Sequence, residues 1–246
     1  MTPLDILDSD SLAQVGHKPC GSQHCVGCPA VARNVLPDLL GESASGCGFD
    51  SLAVEPRATM PASWLSKYTF AIVRRGYVIR QRTDASGRTT SVDAVGPGCC
   101  FPLDRSAAEG GDSGVSGYAV TRALLCLCDE PTFHRSLTAG GPTALQVHEL
   151  DREAIARMER LADARGRSGT ASKVAALLCT LADTLRPAQP RDSRIPGEFL
   201  QRDLANLLSI RHESVCRVLR ELTDQGLVSK APDSLVLTDR KGLEAL

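Results

Sequence analysis

Three cysteines, Cys20, Cys25 and Cys28, fall within nine positions in the run KPCGSQHCVGCPA, on a glycine-rich segment closed by a proline. Closely spaced thiolates on a pliant loop suit an iron-sulfur cluster, because each iron takes one thiolate and a short loop must wrap the cube. Three thiolates leave a fourth ligand to come from elsewhere in the chain. Zinc held by the same cysteines with His24 or His17 suits the spacing almost as well, and a thiol-disulfide switch is the third chemistry open to them. Cys179 and Cys216 sit inside helical patterns, where a small packed or partly exposed residue is the plain reading.

The second group with chemistry in it lies near the other end, where residues 198–222 read EFLQRDLANLLSIRHESVCRVLREL. Leu200, Leu204, Leu207 and Leu208 make one apolar helical face, Ser209-Ile210 interrupts it, and Val215, Val218, Leu219 and Leu222 make a second. The pattern predicts two short helices joined by a tight turn, with Ala205 leaving room for a close crossing. The exposed face of the second helix would carry Arg211, His212, Glu213, Ser214, Cys216, Arg217 and Arg220. Arg211 and His212 stand at its N-terminal end, the end that enters a major groove. Glu213 and Arg217 are four apart and so share a face. A carboxylate accepts from a cytosine amino group while a guanidinium donates twice to a guanine edge, so the pair can read one G·C base pair from both sides. An ordinary helix-turn-helix in an enzyme, with a solvated ion pair, is the plainer alternative. Against it, Gly226-Leu227-Val228 and Ser234-Leu235-Val236-Leu237 flank a Pro232-Asp233 turn, a small hairpin or wing directly after the second helix.

The elements that must position these groups divide the chain into parts. At 246 residues, 42% of them hydrophobic and 23% charged with a net charge of -1, it has room for two globular domains. With no net basic charge, any DNA contact must come from a local patch. Residues 1–50 read as a cysteine-rich arm ending in a short helix through Val31, Val35, Leu36, Leu39 and Leu40, with GESASGCG (41–48) as a linker after it. Residues 51–140 show short apolar runs and turn residues, including Asp84-Ala85-Ser86-Gly87, which mark hairpins of an antiparallel β-domain, with EGGDSGVSG (109–117) as a loop within it. From 141 to 168 the pattern is one long helix. Ala144, Val147, Asp151, Ala154, Met158, Leu161 and Arg165 fall on alternating spacings of three and four, a coiled-coil seam with a charge inside it; Leu150, Ala154, Met158 and Leu161 give a more apolar neighbouring register. Either register suits pairing with a second copy of the chain, and a helix packed on its own domain is the alternative. Residues 169–246 form the helix-turn-helix domain. The expected fold class is α+β: an N-terminal β-roll, a long dimerisation helix and a C-terminal winged helix-turn-helix.

The run RDLANLLSIRHESVCRVLRELTDQGLV resembles the winged helix of the Crp/Fnr family of bacterial regulators, Glu-x-x-x-Arg pair included. FAIVRRGYVIRQRTDASGRTTSVDAVGPG resembles the β-roll sensor domain that precedes it, and the long helix falls where the family has its dimerisation helix. The resemblance implies a homodimeric transcription regulator that binds a palindromic double-stranded site, with RNA polymerase as a further partner, rather than an enzyme. It implies that Glu213 and Arg217 read the shared G·C pair of each half-site; His212 and Cys216 occupy positions where subfamilies differ and leave the rest of the half-site open, with a TTGA-type core as one expectation. In Fnr-like sensors the fourth cluster ligand lies in the last strands of the β-roll, which in LLCLCDEPTF is Cys126, with Cys128 on the same side of the strand as the nearest substitute and Cys47, Cys99 and Cys100 as weaker candidates. The implied cofactor is a 4Fe-4S cluster on Cys20, Cys25, Cys28 and Cys126, responsive to oxygen or nitric oxide; the arm departs from the usual Fnr spacing, with gaps of four and then two. Cyclic AMP is disfavoured, because GPGCCFPLDRS (96–106) lacks the Gly-Glu pair that would hold the ribose and phosphate.

Two exclusions complete the reading. No run approaches the roughly 18 to 20 apolar residues of a membrane span, and the acidic N-terminus does not read as a secretory signal, so a cytoplasmic location is expected. A redox enzyme built on the arm would need a base beside a low-pKa thiol, and no such motif is present.

Overall fold

A computed structural model of the chain describes residues 18–19, 49–103, 114–138, 142–185 and 193–246. Alternating apolar residues produce two packed antiparallel sheets. In the first, β1 (Lys18–Pro19), β2 (Asp50–Val54), β8 (Ala123–Asp129), β3 (Tyr68–Arg75) and β6 (Cys100–Pro102) lie side by side in that order. In the second, β4 (Val78–Thr83) is flanked by β5 (Thr89–Val95) and β7 (Gly114–Ala119). The inner faces meet through Leu52, Ala71, Val73, Val78, Val95, Phe101, Leu125 and Leu127, all buried, with a short helix α1 (Ala62–Lys67) contributing Leu65.

Local chemistry explains both turnings of the chain around β4. The β4–β5 hairpin closes on Asp84, whose Oδ1 accepts from the N–H of Ser86 and Arg88 at 2.9 and 3.0 Å, with Gly87 at φ 78°. Between β3 and β4 the chain switches sheets at Gly76, at φ 78°, where any Cβ would collide with the carbonyl oxygen of Arg122. One expectation is corrected here: residues 114–117 of the glycine-rich stretch form the start of β7 instead of a loop. Gly117 reads as a loop residue, yet a Cβ there would come within 2.7 Å of Met60 and 3.1 Å of Val78, so the small residue is required by close packing within the sheet.

Helices α2 (Glu130–Thr138) and α3 (Pro142–Gly166) cover the outer face of the first sheet. α4 (Thr170–Thr184) then joins the C-terminal domain, whose core packs Leu177, Leu178 and Leu181 against α5 (Gln201–Leu208) and α6 (His212–Asp224). Ser209, in the left-handed region at φ 55°, makes the tight turn between α5 and α6, and Ala205 is buried where they cross. The wing consists of β10 (Val228–Ala231) and β11 (Ser234–Leu237), turned by Pro232-Asp233, with β9 (Arg194–Pro196) added to its edge and α7 (Arg240–Glu244) closing the domain. Among the described residues no helix is long and apolar enough to cross a membrane.

The interface expectation for α3 is revised by its packing. Ala154, Arg157, Leu161 and Ala164 are buried against the chain itself, and Val147 and Leu150 lean on the first sheet. The outward side carries Asp151, Ile155 and Ala162, with Met158 half-buried beside them and Leu145, 70% exposed, nearer the start. An apolar stripe on a helix reports burial without telling an intrachain neighbour from a second copy, and here the more apolar register is spent on the chain's own β-sandwich.

Candidate nucleic-acid interface and cysteine-lined face

The exposed face of α6 and the buried cysteines of the first sheet lie in different domains. On α6, Val215, Val218, Leu219 and Leu222 point into the core, so the opposite side of the helix faces solvent. Arg211, His212, Glu213, Arg217 and Arg220 are exposed there, with Ser214 and Cys216 half-buried at its margin. Arg217 leans toward Glu221, Nε to Oε1 3.8 Å, and not toward Glu213; the pair is exposed on both sides and so holds the guanidinium only weakly. Cys216 Sγ lies 2.7 Å from Gln201 Oε1 and 3.4 Å from His212 Nε2, tying the margin of α6 to the start of α5.

The cysteine face is the outer side of the first sheet. Cys126 (4% exposed) and Cys128 alternate along β8, and both pack with Cys100 of β6, Phe49, Phe70 and Ile72 under α2 and α3. The register explains the gathering: Ile72 pairs with Cys100 on one side and Cys126 on the other. Cys99 points the other way, into the sandwich, where its thiol approaches the Thr184 carbonyl at 3.6 Å. Burial pushes the Cys100 thiol up, far from the thiolate form. Cys20, Cys25, Cys28 and Cys47 lie outside the described residues, as do His17 and His24. Among the described residues no three His, Cys, Asp or Glu side chains converge to hold a metal ion. The sheet does place the arm's point of departure: Lys18 pairs with Ser51, and Ser51 with Cys126, so Lys18 lies two strands from Cys126 in one transverse row, roughly 10 Å away.

Sequence patterning missed the residues that join these parts. Arg157 of α3 reaches the carbonyl of Cys100 at 2.9 Å and Asp93 at 3.4 Å, while Arg80 approaches the other oxygen of Asp93 at 3.1 Å. All three side chains are buried, and burial is the main cause that lowers the Arg80 pKa. The long helix is thereby fixed to the strand beside the cysteine face. In the C-terminal domain Arg240 holds both oxygens of Asp183, at 2.7 and 2.8 Å, next to Cys179. Burial pushes the Cys179 thiol up from its ordinary 9.0 to about 11. The folded state therefore keeps a proton that the unfolded chain releases, so stability held below pH 9 is lost as the pH rises toward 11. Chemical denaturation across this window should show Cys179→Ala with a shallower loss than the unmodified protein, by up to about 1.4 kcal/mol per pH unit. Equal slopes would discard the assignment.

Residues 172–246 match the Crp-like helix-turn-helix domain. Over the greater part of the chain, solved structures share its fold. FixK2 from Bradyrhizobium japonicum is 17% identical with a TM-score of 0.64, covering 80% of this chain and 96% of its own. A CooA mutant from Carboxydothermus hydrogenoformans is 15% identical with a TM-score of 0.64, covering 86% and 94%. A CRP-family transcriptional regulator from Thermus thermophilus is 21% identical with a TM-score of 0.56, covering 79% and 95%. No curated protein sequence matches the chain. The fold is thus Crp/Fnr-like: an N-terminal β-domain of the cyclic-nucleotide-binding type, connecting helices and a C-terminal helix-turn-helix.

Proposed function

We propose that the chain is a DNA-binding transcription regulator of the Crp/Fnr type that reads a palindromic duplex as a homodimer, its pairing controlled by a metal centre on the cysteine arm. The observation that carries this reading is the solvent-facing array on α6, backed by a fully packed core inside a Crp-like domain. Arg217 would donate to a guanine edge and Glu213 accept from the paired cytosine. The experiment is selection from a random-sequence duplex pool by the unmodified protein. A recovered palindrome with half-sites about one helical turn apart supports the proposal; a pool left unenriched overturns it.

Pairing would use the outward side of α3, through Asp151, Ile155, Met158 and Ala162. Ile155, a large apolar side chain 50% exposed, is its anchor. Ile155→Glu is expected to give a monomer by sedimentation equilibrium and to cost about a hundredfold in affinity for the selected duplex, because two linked half-site contacts become one. A variant that stays dimeric would place the interface elsewhere.

The sensing part rests on the arm. A 4Fe-4S cluster held by Cys20, Cys25, Cys28 and Cys126 would supply a covalent tie between arm and sheet that oxygen or nitric oxide can break. Support comes from the sheet register, which sets Lys18 and Pro19, the residues just before Cys20, two strands from β8. Cys126 also packs in the cluster that Val147 and Leu150 of α3 lean on, so a change in its surroundings reaches the pairing helix directly. Asp151 would meet its twin across the seam, and that repulsion keeps the pair near its point of dissociation.

A further inference from the structure

The β-sandwich grips the reading domain through a polar clasp. Arg57, in the loop after β2 and itself at φ 69°, sends Nη1 to both oxygens of Asp203 at 2.8 Å and Nη2 to the Glu198 carbonyl at 2.7 Å. Tyr118 of β7 donates its hydroxyl to Asp203 Oδ1 at 2.7 Å, and the Leu200 N–H adds a bond to Oδ2 at 2.8 Å. Asp203, in the first turn of α5, is only 1% exposed, so its charge depends on these partners. Nearby, Arg165 of α3 bridges the carbonyls of Leu207 and Ser91, at 2.7 and 2.6 Å, and the rings of Tyr77 and Phe199 meet edge to face at 5.7 Å.

The clasp holds α5 by its inward side. Arg211, His212, Glu213, Arg217 and Arg220 stay exposed, so the contact restrains the reading helix without covering it. An inhibitory contact would bury that face. We infer that Arg57 and Tyr118 are positioning residues for DNA reading: by holding Asp203 they fix the angle at which each subunit presents α6, so that two reading helices arrive already spaced for both halves of a palindrome. The inference rests on the DNA-reading proposal above. Fixing the angle in advance removes an ordering cost from the second half-site contact and leaves the first unchanged.

The test compares the unmodified protein with Arg57→Met and the milder Tyr118→Phe on three kinds of duplex: the palindrome that the unmodified protein selects, a single half-site, and palindromes with the spacer changed by one or two base pairs. Arg57→Met is expected to lose about tenfold or more on the palindrome and less than about twofold on the half-site, with weaker discrimination between spacers. Tyr118→Phe should move in the same direction by less, and amide hydrogen exchange at the start of α5 should quicken in both. Unchanged palindrome affinity and spacer preference overturn the inference. So does an equal loss on half-site and palindrome, which would mean damage to the reading domain itself, and so does a gain in palindrome affinity, which would mean an inhibitory clasp. If the unmodified protein selects no duplex, the DNA reading falls first and the clasp's role falls with it, whereas a failure confined to the variants leaves the reading standing.

Discussion

Arg217→Ala is expected to lower affinity for the selected palindrome by about two orders of magnitude or more, because each bidentate guanine contact contributes roughly 1–3 kcal/mol and a dimer makes two. The fold should survive the change. Arg217 is exposed, its close ionic neighbour among the described residues is Glu221 at 3.8 Å, and the side chains that hold α6 in place are the buried Val215, Val218, Leu219 and Leu222. Binding to unrelated duplex should fall much less, since that binding comes from charge near phosphates and Arg211 and Arg220 remain. Titration of the selected and a scrambled duplex, with circular dichroism to confirm folding, separates the two effects. A variant that still prefers the selected duplex would remove Arg217 from base reading.

The second large effect concerns Cys126. Purified without air, the unmodified protein is expected to be brown, with iron and sulfide in comparable amounts. Cys126→Ser should lose the colour and the iron, and its affinity for the selected palindrome should fall toward the non-specific level, about a thousandfold or more. Cys128→Ser is the control, because Cys128 packs in the same apolar cluster as Cys126, so damage from placing a hydroxyl there would appear in both variants. Loss confined to Cys126→Ser identifies ligation. A colourless preparation with stoichiometric zinc would favour the zinc-stapled alternative, and an equal effect of both variants would make Cys126 a packing residue.

How legible the molecule was depends on the range over which its signals act. The helix-turn-helix and wing are local objects, so the two apolar helical faces, the Ser209-Ile210 break and the Pro232-Asp233 turn sufficed to trace them, and the hairpin at Asp84 likewise carries its own turn chemistry. β9 was not legible, since Arg194–Pro196 becomes a strand only by pairing with β11. The stripe on α3 was seen but its partner was not: Ala154 and Leu161 satisfy the pattern of an interface while facing the chain's own core. Arg57, Tyr118 and Asp203 escaped for the same reason in stronger form, because 146 positions separate Arg57 from Asp203 and no local pattern links them. Arg80 and Asp93 gave little signal, being charges in strands of mixed polar and apolar residues, with Arg157 arriving from a helix far along the chain.

The alternation in LLCLC put Cys126 and Cys128 on one side of a strand, and the structure adds Cys100 to that side and turns Cys99 away. Spacing does not contain that difference: Cys99 directly precedes β6, and only the folded chain turns it into the sandwich while Cys100 faces outward.

The most direct measurement is equilibrium binding of the air-free protein to its selected palindrome and to a scrambled duplex over a range of salt concentrations, with the stoichiometry read at saturation. Two chains per palindrome, a preference of at least about a thousandfold over the scrambled duplex and a steep linear fall of log affinity with log salt are predicted. Equal affinity for the two duplexes at every salt concentration would contradict the account.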